Sequence, residues 1–282
     1  MDIKSGDMIM LTQLRLLLLE DAPADEIERR LPPDELEALY AWHGKKEGAA
    51  EAFLSLDEYD EKASALLYRP GRRAASGRRG KFIVLEGLDG AGKTTHIELL
   101  RKRLLSDGRS VYATAEPTAS ATGGLIRDAL SGLHPRAASE LAALFLCDRI
   151  QHNINPKNGI KGFLEAGTDV ICDRYYYSSL AYQGIDSDIG WVAQMNLGCP
   201  DICTPDACIF LDLSVEKCVE RMAKERVTAE IFETEEIIRR VKRRFADTFR
   251  MCNDNENIFI VNADREKEKV SAEIYDIVKG IK

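Results

Sequence analysis

The chain has 282 residues, 45% hydrophobic and 30% charged, with a net charge of −8; this describes a folded globular protein and excludes a disordered one. Residues 1–70 carry 16 acidic and 8 basic side chains and the remainder is balanced, so no basic excess exists to neutralise a nucleic-acid backbone. Seven cysteines in a chain of this length do not read as a disulfide framework and fit a reducing, cytoplasmic setting, and no apolar run reaches membrane-spanning length.

Residues 1–68 read as several short helices forming a small acidic domain of unknown role and unknown partner. The apolar run at residues 9–19 mimics a signal peptide, but Arg15 interrupts it and Glu20 and Asp21 follow it, so it reads as an amphipathic helix. Pro32 and Pro33 with Asp34 and Glu35 mark a helix start, and Leu36, Leu39 and Tyr40 follow at helical spacing. Residues 69–80 (RPGRRAASGRRG) have the composition of a basic, flexible linker.

From residue 81 the pattern changes. Five short apolar strands are predicted at 81–86, 111–114, 169–173, 207–212 and 258–262, separated by helical stretches. That alternation predicts a five-stranded parallel sheet in a three-layer α/β/α domain spanning 81–282. Cys199, Cys203 and Cys208 are close in sequence but lack zinc-finger spacing.

The first strand leads into Gly87, Leu88, Asp89, Gly90, Ala91, Gly92, Lys93 and Thr94, followed by Thr95. This is GxxxxGK[ST] in its required context, with a strand before and a helix after. Glycines let backbone N–H groups converge on phosphate oxygens, and the helix points its positive end at the same anion. Lys93 is then expected at the β- and γ-phosphates of ATP, with Thr94 offering its hydroxyl to Mg²⁺. The motif predicts nucleotide binding and leaves the phosphate acceptor open.

Further motifs narrow the acceptor. Glu116–Pro117 follows the second strand. Phe145 precedes Asp148–Arg149 and Gln151–His152. Asp173–Arg174–Tyr175 ends the third strand, followed by Ser178, Ser179 and Tyr182–Gln183. In order and spacing these resemble the thymidylate kinase family of P-loop nucleoside-monophosphate kinases, over about residues 80–282. The resemblance implies phosphorylation of dTMP to dTDP with ATP and Mg²⁺, a step toward dTTP, by a homodimer. It implies that Phe145 stacks on thymine and Arg149, one turn later, bonds a thymine carbonyl. It also implies that Arg174 clamps the acceptor phosphate, that Asp173, Asp89 and Thr94 serve the metal, and that Tyr182 crowds the sugar 2′ position. Glu116, Ser178, Ser179 and Gln183 complete the acceptor pocket.

Some family members carry an arginine inside the phosphate loop. Here that position is Gly90, so the catalytic charge is expected from a lid carrying Arg221, Lys224 and Arg226, with Arg226 the first choice. The sequence also departs from many relatives at Ala115, where they have arginine, and Arg127 is then a candidate for the missing phosphate contact. His96 replaces a usual glutamine and has no assigned role. Two other readings stay open: a kinase for another pyrimidine monophosphate (dUMP, UMP or CMP), and a non-catalytic ATP-binding regulator.

Overall fold

The computed structural model describes residues 79–225, 235–252 and 256–281, with residues 26, 29–30 and 68–69 before them. Most of the expected N-terminal helices and of the 69–80 linker, and the lid residue Arg226, lie outside the described residues. The chain divides into two compact units, Met1–Tyr68 and Arg69–Lys282. In the first, Arg30 pairs with Glu26 one helical turn away at 3.0 Å.

The second unit is built on five strands: β1 (Phe82–Glu86), β2 (Val111–Ala115), β3 (Asp169–Asp173), β4 (Ala207–Asp212) and β5 (Ile258–Asn262). They lie in the order β2-β3-β1-β4-β5, and every neighbouring pair is parallel. Val84 pairs with Cys172 on one side and Cys208 on the other. Successive residues 82–85 are all 0% exposed, and so are 170–172 and 207–209. Neighbouring side chains in a strand point to opposite faces, so helices must cover both. The outer strands are more open: β2 ends on the exposed Ala115, and Ile260 of β5 is 63% exposed.

Among the described residues nine helices flank these strands: α1 (Lys93–Ser106), α2 (Ala121–Leu130), α3 (Ala138–Ile154), α4 (Ile160–Glu165), α5 (Tyr176–Asp186), α6 (Ile189–Leu197), α7 (Val215–Glu225), α8 (Glu235–Cys252) and α9 (Lys267–Gly280). Helices α1 and α9 pack together, and α5 packs on α8, α3 and α6. Phe245 and Phe249 of α8 meet Phe210 of β4 with ring centroids 5.0 and 5.1 Å apart. The first strand begins one residue later than its sequence predicts. Lys81 gives its N–H to the Asp169 carboxylate and its Nζ to the carbonyls of Val278 and Ile281, at 2.9 and 2.6 Å.

Order reverses around β1: the chain leaves it for the β2–β3 side and later returns to the β4 side. In open parallel sheets the crevice at the carboxyl ends of the strands about such a reversal is where ligands bind. Gly87–Thr94 leaves β1 at that end, Glu116 leaves β2 and Arg174 leaves β3.

Candidate active site

The phosphate loop takes its shape from backbone that L side chains adopt poorly. Gly90 has φ 78°, and a Cβ there would lie 2.7 Å from the Cys218 carbonyl oxygen of α7. So α7 occupies the space that a loop side chain would need. From the same helix Arg221 donates to the Gly90 carbonyl at 3.3 Å, bringing a cation to the loop from outside it. Lys93 is buried at the start of α1, and its Nζ donates to the Gly87 and Leu88 carbonyls, both at 3.1 Å. Burial lowers its pKa, the neighbouring Arg174 lowers it further, and Asp173, Asp89 and Glu86 partly offset this. Leu88 and Ala91 are buried, while Thr94 and Thr95 are exposed at the first turn of α1.

Arg174 sits where β3 ends. Its φ of 66° is in the left-handed region, uncommon for a residue with a Cβ. Its N–H donates to the Leu85 carbonyl and the Cys172 thiol reaches its carbonyl, each at 3.0 Å. Its guanidinium donates to Ser178 Oγ at 3.0 Å and to Asp89 Oδ1 at 2.6 Å, and lies 5.2 Å from the centre of the Tyr182 ring. Asp89 also stands 3.7 Å from Lys93 Nζ. One carboxylate therefore bridges the two cations that phosphate groups would engage.

Behind Arg174 lies Glu86, the last residue of β1, 0% exposed. Its Oε1 accepts the N–H groups of Tyr175 and Ser178 at 2.8 and 3.1 Å, and its Oε2 accepts the Ser178 hydroxyl at 2.7 Å. Burial raises its pKa, opposed by Arg174, by the Ser178 hydrogen bond, by the Tyr175 N–H and by Lys93. Tyr175, the N-cap residue of α5, supplies no side-chain cap of its own. The sequence reading took Glu86 only as the end of a strand.

The opposite wall is a buried polar network. Arg149 of α3 is 1% exposed. It donates from Nε to Glu116 Oε2 at 2.7 Å, with Nη2 at the same ion-pair distance, from Nη2 to Ser179 Oγ at 3.0 Å, and through a short contact from Nη1 to Asn196 Oδ1. His152 Nδ1 donates to Glu116 Oε1 at 3.0 Å, and Nε2 meets Thr114 Oγ1 at 2.8 Å. The Glu116–Pro117 peptide is cis. Asp148 accepts Thr118 N–H, Thr118 Oγ1 and Ser120 Oγ at 2.6–2.7 Å, fixing the loop beyond it. Arg127 donates to the Thr118 carbonyl of that loop at 2.7 Å. Phe145 is partly buried against Ile126, Ala129 and Leu141, and Gln183 is buried on α5.

The structure thus gathers Lys93, Asp89, Arg174, Ser178 and Tyr182 on one side, and Glu116, Arg149 and Ser179 on the other. His152 and Asn196 joined the network without being assigned a role; His152 stood in the Gln151–His152 motif, and a lone Asn on the apolar α6 was the signal for Asn196. Asp173 Oδ1 is buried and has no hydrogen-bond partner. The described residues contain no group of three or more His, Cys, Asp or Glu able to hold a metal. Mg²⁺ that arrives with a nucleotide takes one or two carboxylates plus phosphate oxygens. The Asp173 carboxylate, with the exposed Thr94 hydroxyl and Asp89, fits that requirement.

Comparison with known proteins gives this arrangement its relatives. Residues 85–274 match the family model described as thymidylate kinase. The thymidylate kinase of Halothermothrix orenii is 38% identical over 207 residues, covering 72% of this chain and 98% of the relative. A probable thymidylate kinase of Pyrococcus horikoshii is 38% identical over 208 residues, covering 71% and 97%. Among solved structures, thymidylate kinase from Candida albicans is similar with a TM-score of 0.60 at 24% identity, covering 71% of this chain and 92% of that one, a likeness of fold. With the phosphate loop, the left-handed arginine and the buried Glu116–Arg149 wall all within the matched span, the chain belongs to the thymidylate kinase family.

Proposed function

We propose that this protein transfers the γ-phosphoryl group of ATP to the 5′-phosphate of dTMP, with catalysis in residues 81–282. The observation that carries this is the Arg174–Asp89–Lys93 arrangement: two cations, bridged by one carboxylate, where the phosphate loop meets the end of β3. The acceptor phosphate oxygen is already ionised, so no general base is needed. Alignment and charge neutralisation do the work. ATP draws Lys93 off its two loop carbonyls onto the β- and γ-phosphates. The acceptor phosphate takes Arg174. Mg²⁺ held by Asp173 and Thr94, with Asp89, would supply further positive charge to the transferring group.

Phe145 is taken to stack on thymine. Arg149 has five N–H donors, and three hydrogen bonds tie it to Glu116, Ser179 and Asn196; its second Nη1 proton is the one offered to a thymine carbonyl. Gln183 and Ser179 complete that wall, and Tyr182 limits the space at the sugar 2′ carbon. Arg221 reaches the loop directly, and Arg226 is assigned to the lid beyond it. The outer face of α3 carries Ala143, Cys147, Ile150 and Ile154 along an open groove of about 550 Å³; we assign it to pairing with a second copy. The free cysteines fit a cytoplasmic setting. Residues 1–68 are taken as an appendage joined through 69–80.

A coupled assay of ADP release with ATP, Mg²⁺ and a panel of monophosphates tests this. dTMP is expected to turn over with the highest kcat/KM. Preference for UMP or CMP would remove the base and sugar assignments, and no turnover with any of them would remove the reading altogether.

A further inference from the structure

We infer that Glu86 is a positioning residue for Arg174, acting through the Ser178 hydroxyl. The inference rests on the phosphoryl-transfer reading above, in which Arg174 holds the acceptor phosphate.

The argument starts from proton direction. A serine hydroxyl has one proton and two lone pairs. The Ser178 hydroxyl donates to Glu86 Oε2 at 2.7 Å, so its one proton points at Glu86. A lone pair is then left for Arg174 Nη1, which donates to it at 3.0 Å. Were the proton free to rotate, it would spend time facing a guanidinium that can only donate. The other carboxylate oxygen is fixed by two backbone N–H groups, so Glu86 itself has little freedom.

The same carboxylate acts on the backbone. Arg174 is in the left-handed region, a conformation that surrounding structure must enforce. Glu86 caps the first turn of the helix that begins two residues later, and the Leu85 carbonyl beside it holds Arg174 N–H. Both ends of Arg174, its peptide and its guanidinium, are thus referred to the end of β1. The guanidinium is arranged before any phosphate arrives, which lowers the cost of ordering it on binding.

A carboxylate that only stabilised the fold would make the same contacts, so the test uses a readout that fold stability does not move. Ser178→Ala keeps both backbone bonds to Glu86 Oε1 and removes only the relay. It is expected to raise KM for dTMP about tenfold, the scale of one hydrogen bond to a charged group, and to leave KM for ATP within twofold. Glu86→Gln is expected to do the same in the wild-type background. The Gln carbonyl takes the two backbone N–H groups, so its amide must donate to Ser178 and turn the hydroxyl proton away. In the Ser178→Ala background Glu86→Gln is expected to change KM for dTMP by less than twofold, since the route is already cut.

Side-chain ¹H–¹⁵N spectra give a readout independent of turnover. The Arg174 guanidinium signals, assigned through Arg174→Lys, are expected to shift and broaden in both variants. Equal rises in KM for both substrates, an undiminished Glu86→Gln effect in the Ser178→Ala background, or unchanged Arg174 signals would overturn the inference. Should Glu86→Gln not fold, Ser178→Ala decides alone, and unchanged KM for dTMP with unchanged Arg174 signals refutes it. Failure of the wild-type enzyme to phosphorylate any monophosphate would instead strike the functional reading, with the spectra still judging the positioning.

Discussion

The two walls of the cleft are built on opposite plans. On the acceptor wall, Arg149, Glu116, His152, Asn196 and Ser179 are each buried and each bonded to another member of the set. On the donor wall, Lys93 spends its hydrogen bonds on its own loop, and Asp89, with a side chain 56% exposed, stands between two cations. The acceptor wall is finished before a ligand arrives. On the donor wall Lys93 rests on loop carbonyls that phosphate must displace. Pre-organised contacts cost stability when broken, whereas resting charges cost activity.

The sharpest way to break that contrast is Lys93→Met. Activity is expected to fall about 10²–10³-fold, while the melting temperature of the free protein stays level or rises, because a buried cation with a lowered pKa is removed. A clear drop in melting temperature would mean that the donor wall is structural too. Arg149→Ala should behave in the opposite way. It leaves the Glu116 carboxylate buried without its main partner, which costs about 3–5 kcal/mol. Urea unfolding measures this, and a loss below about 1 kcal/mol would show that the wall is not a unit.

Smaller effects sharpen the picture. Gly90→Ala places a methyl against the Cys218 carbonyl at a positive φ and is expected to cost about 1–3 kcal/mol. The loss should appear together with a raised KM for ATP, since α7 and the loop must move apart. Smallest is a proton. Lys93 is neutral over a wider alkaline range than an ordinary lysine, and phosphate restores its charge. ATP binding at alkaline pH should take up a fraction of a proton, read by calorimetry in buffers of different ionisation enthalpy. Lys93→Met should abolish that part of the uptake, because the group that gains the proton is gone.

Legibility in the sequence followed the same division. The strands could be read because both faces of the sheet are covered, so residues 82–85 and 170–172 form unbroken apolar runs. The phosphate loop could be read because its glycines, Lys93 and Thr94 form one unbroken local pattern. Arg149 was found at its spacing from Phe145, yet its partners lie 30 to 47 residues away on different elements, and no local pattern reports them. Glu86 escaped notice for the same reason, being 92 residues from Ser178. Lys81 looked like part of a strand because nothing near it in sequence discloses the two carbonyls that claim its ammonium.

That ammonium has a bearing on how the molecule is made. Lys81 opens the central strand, and the carbonyls that satisfy it lie 197 and 200 residues further on. On a ribosome β1 is synthesised before any of its neighbours, its β3 and β4 partners follow long afterwards, and the acceptors for Lys81 come last. The middle of the sheet is therefore the first part to emerge and the last to be completed. Chains dominated by such distant contacts fold slowly and expose apolar strands meanwhile, so this protein is expected to depend on holding by chaperones until α9 has been made.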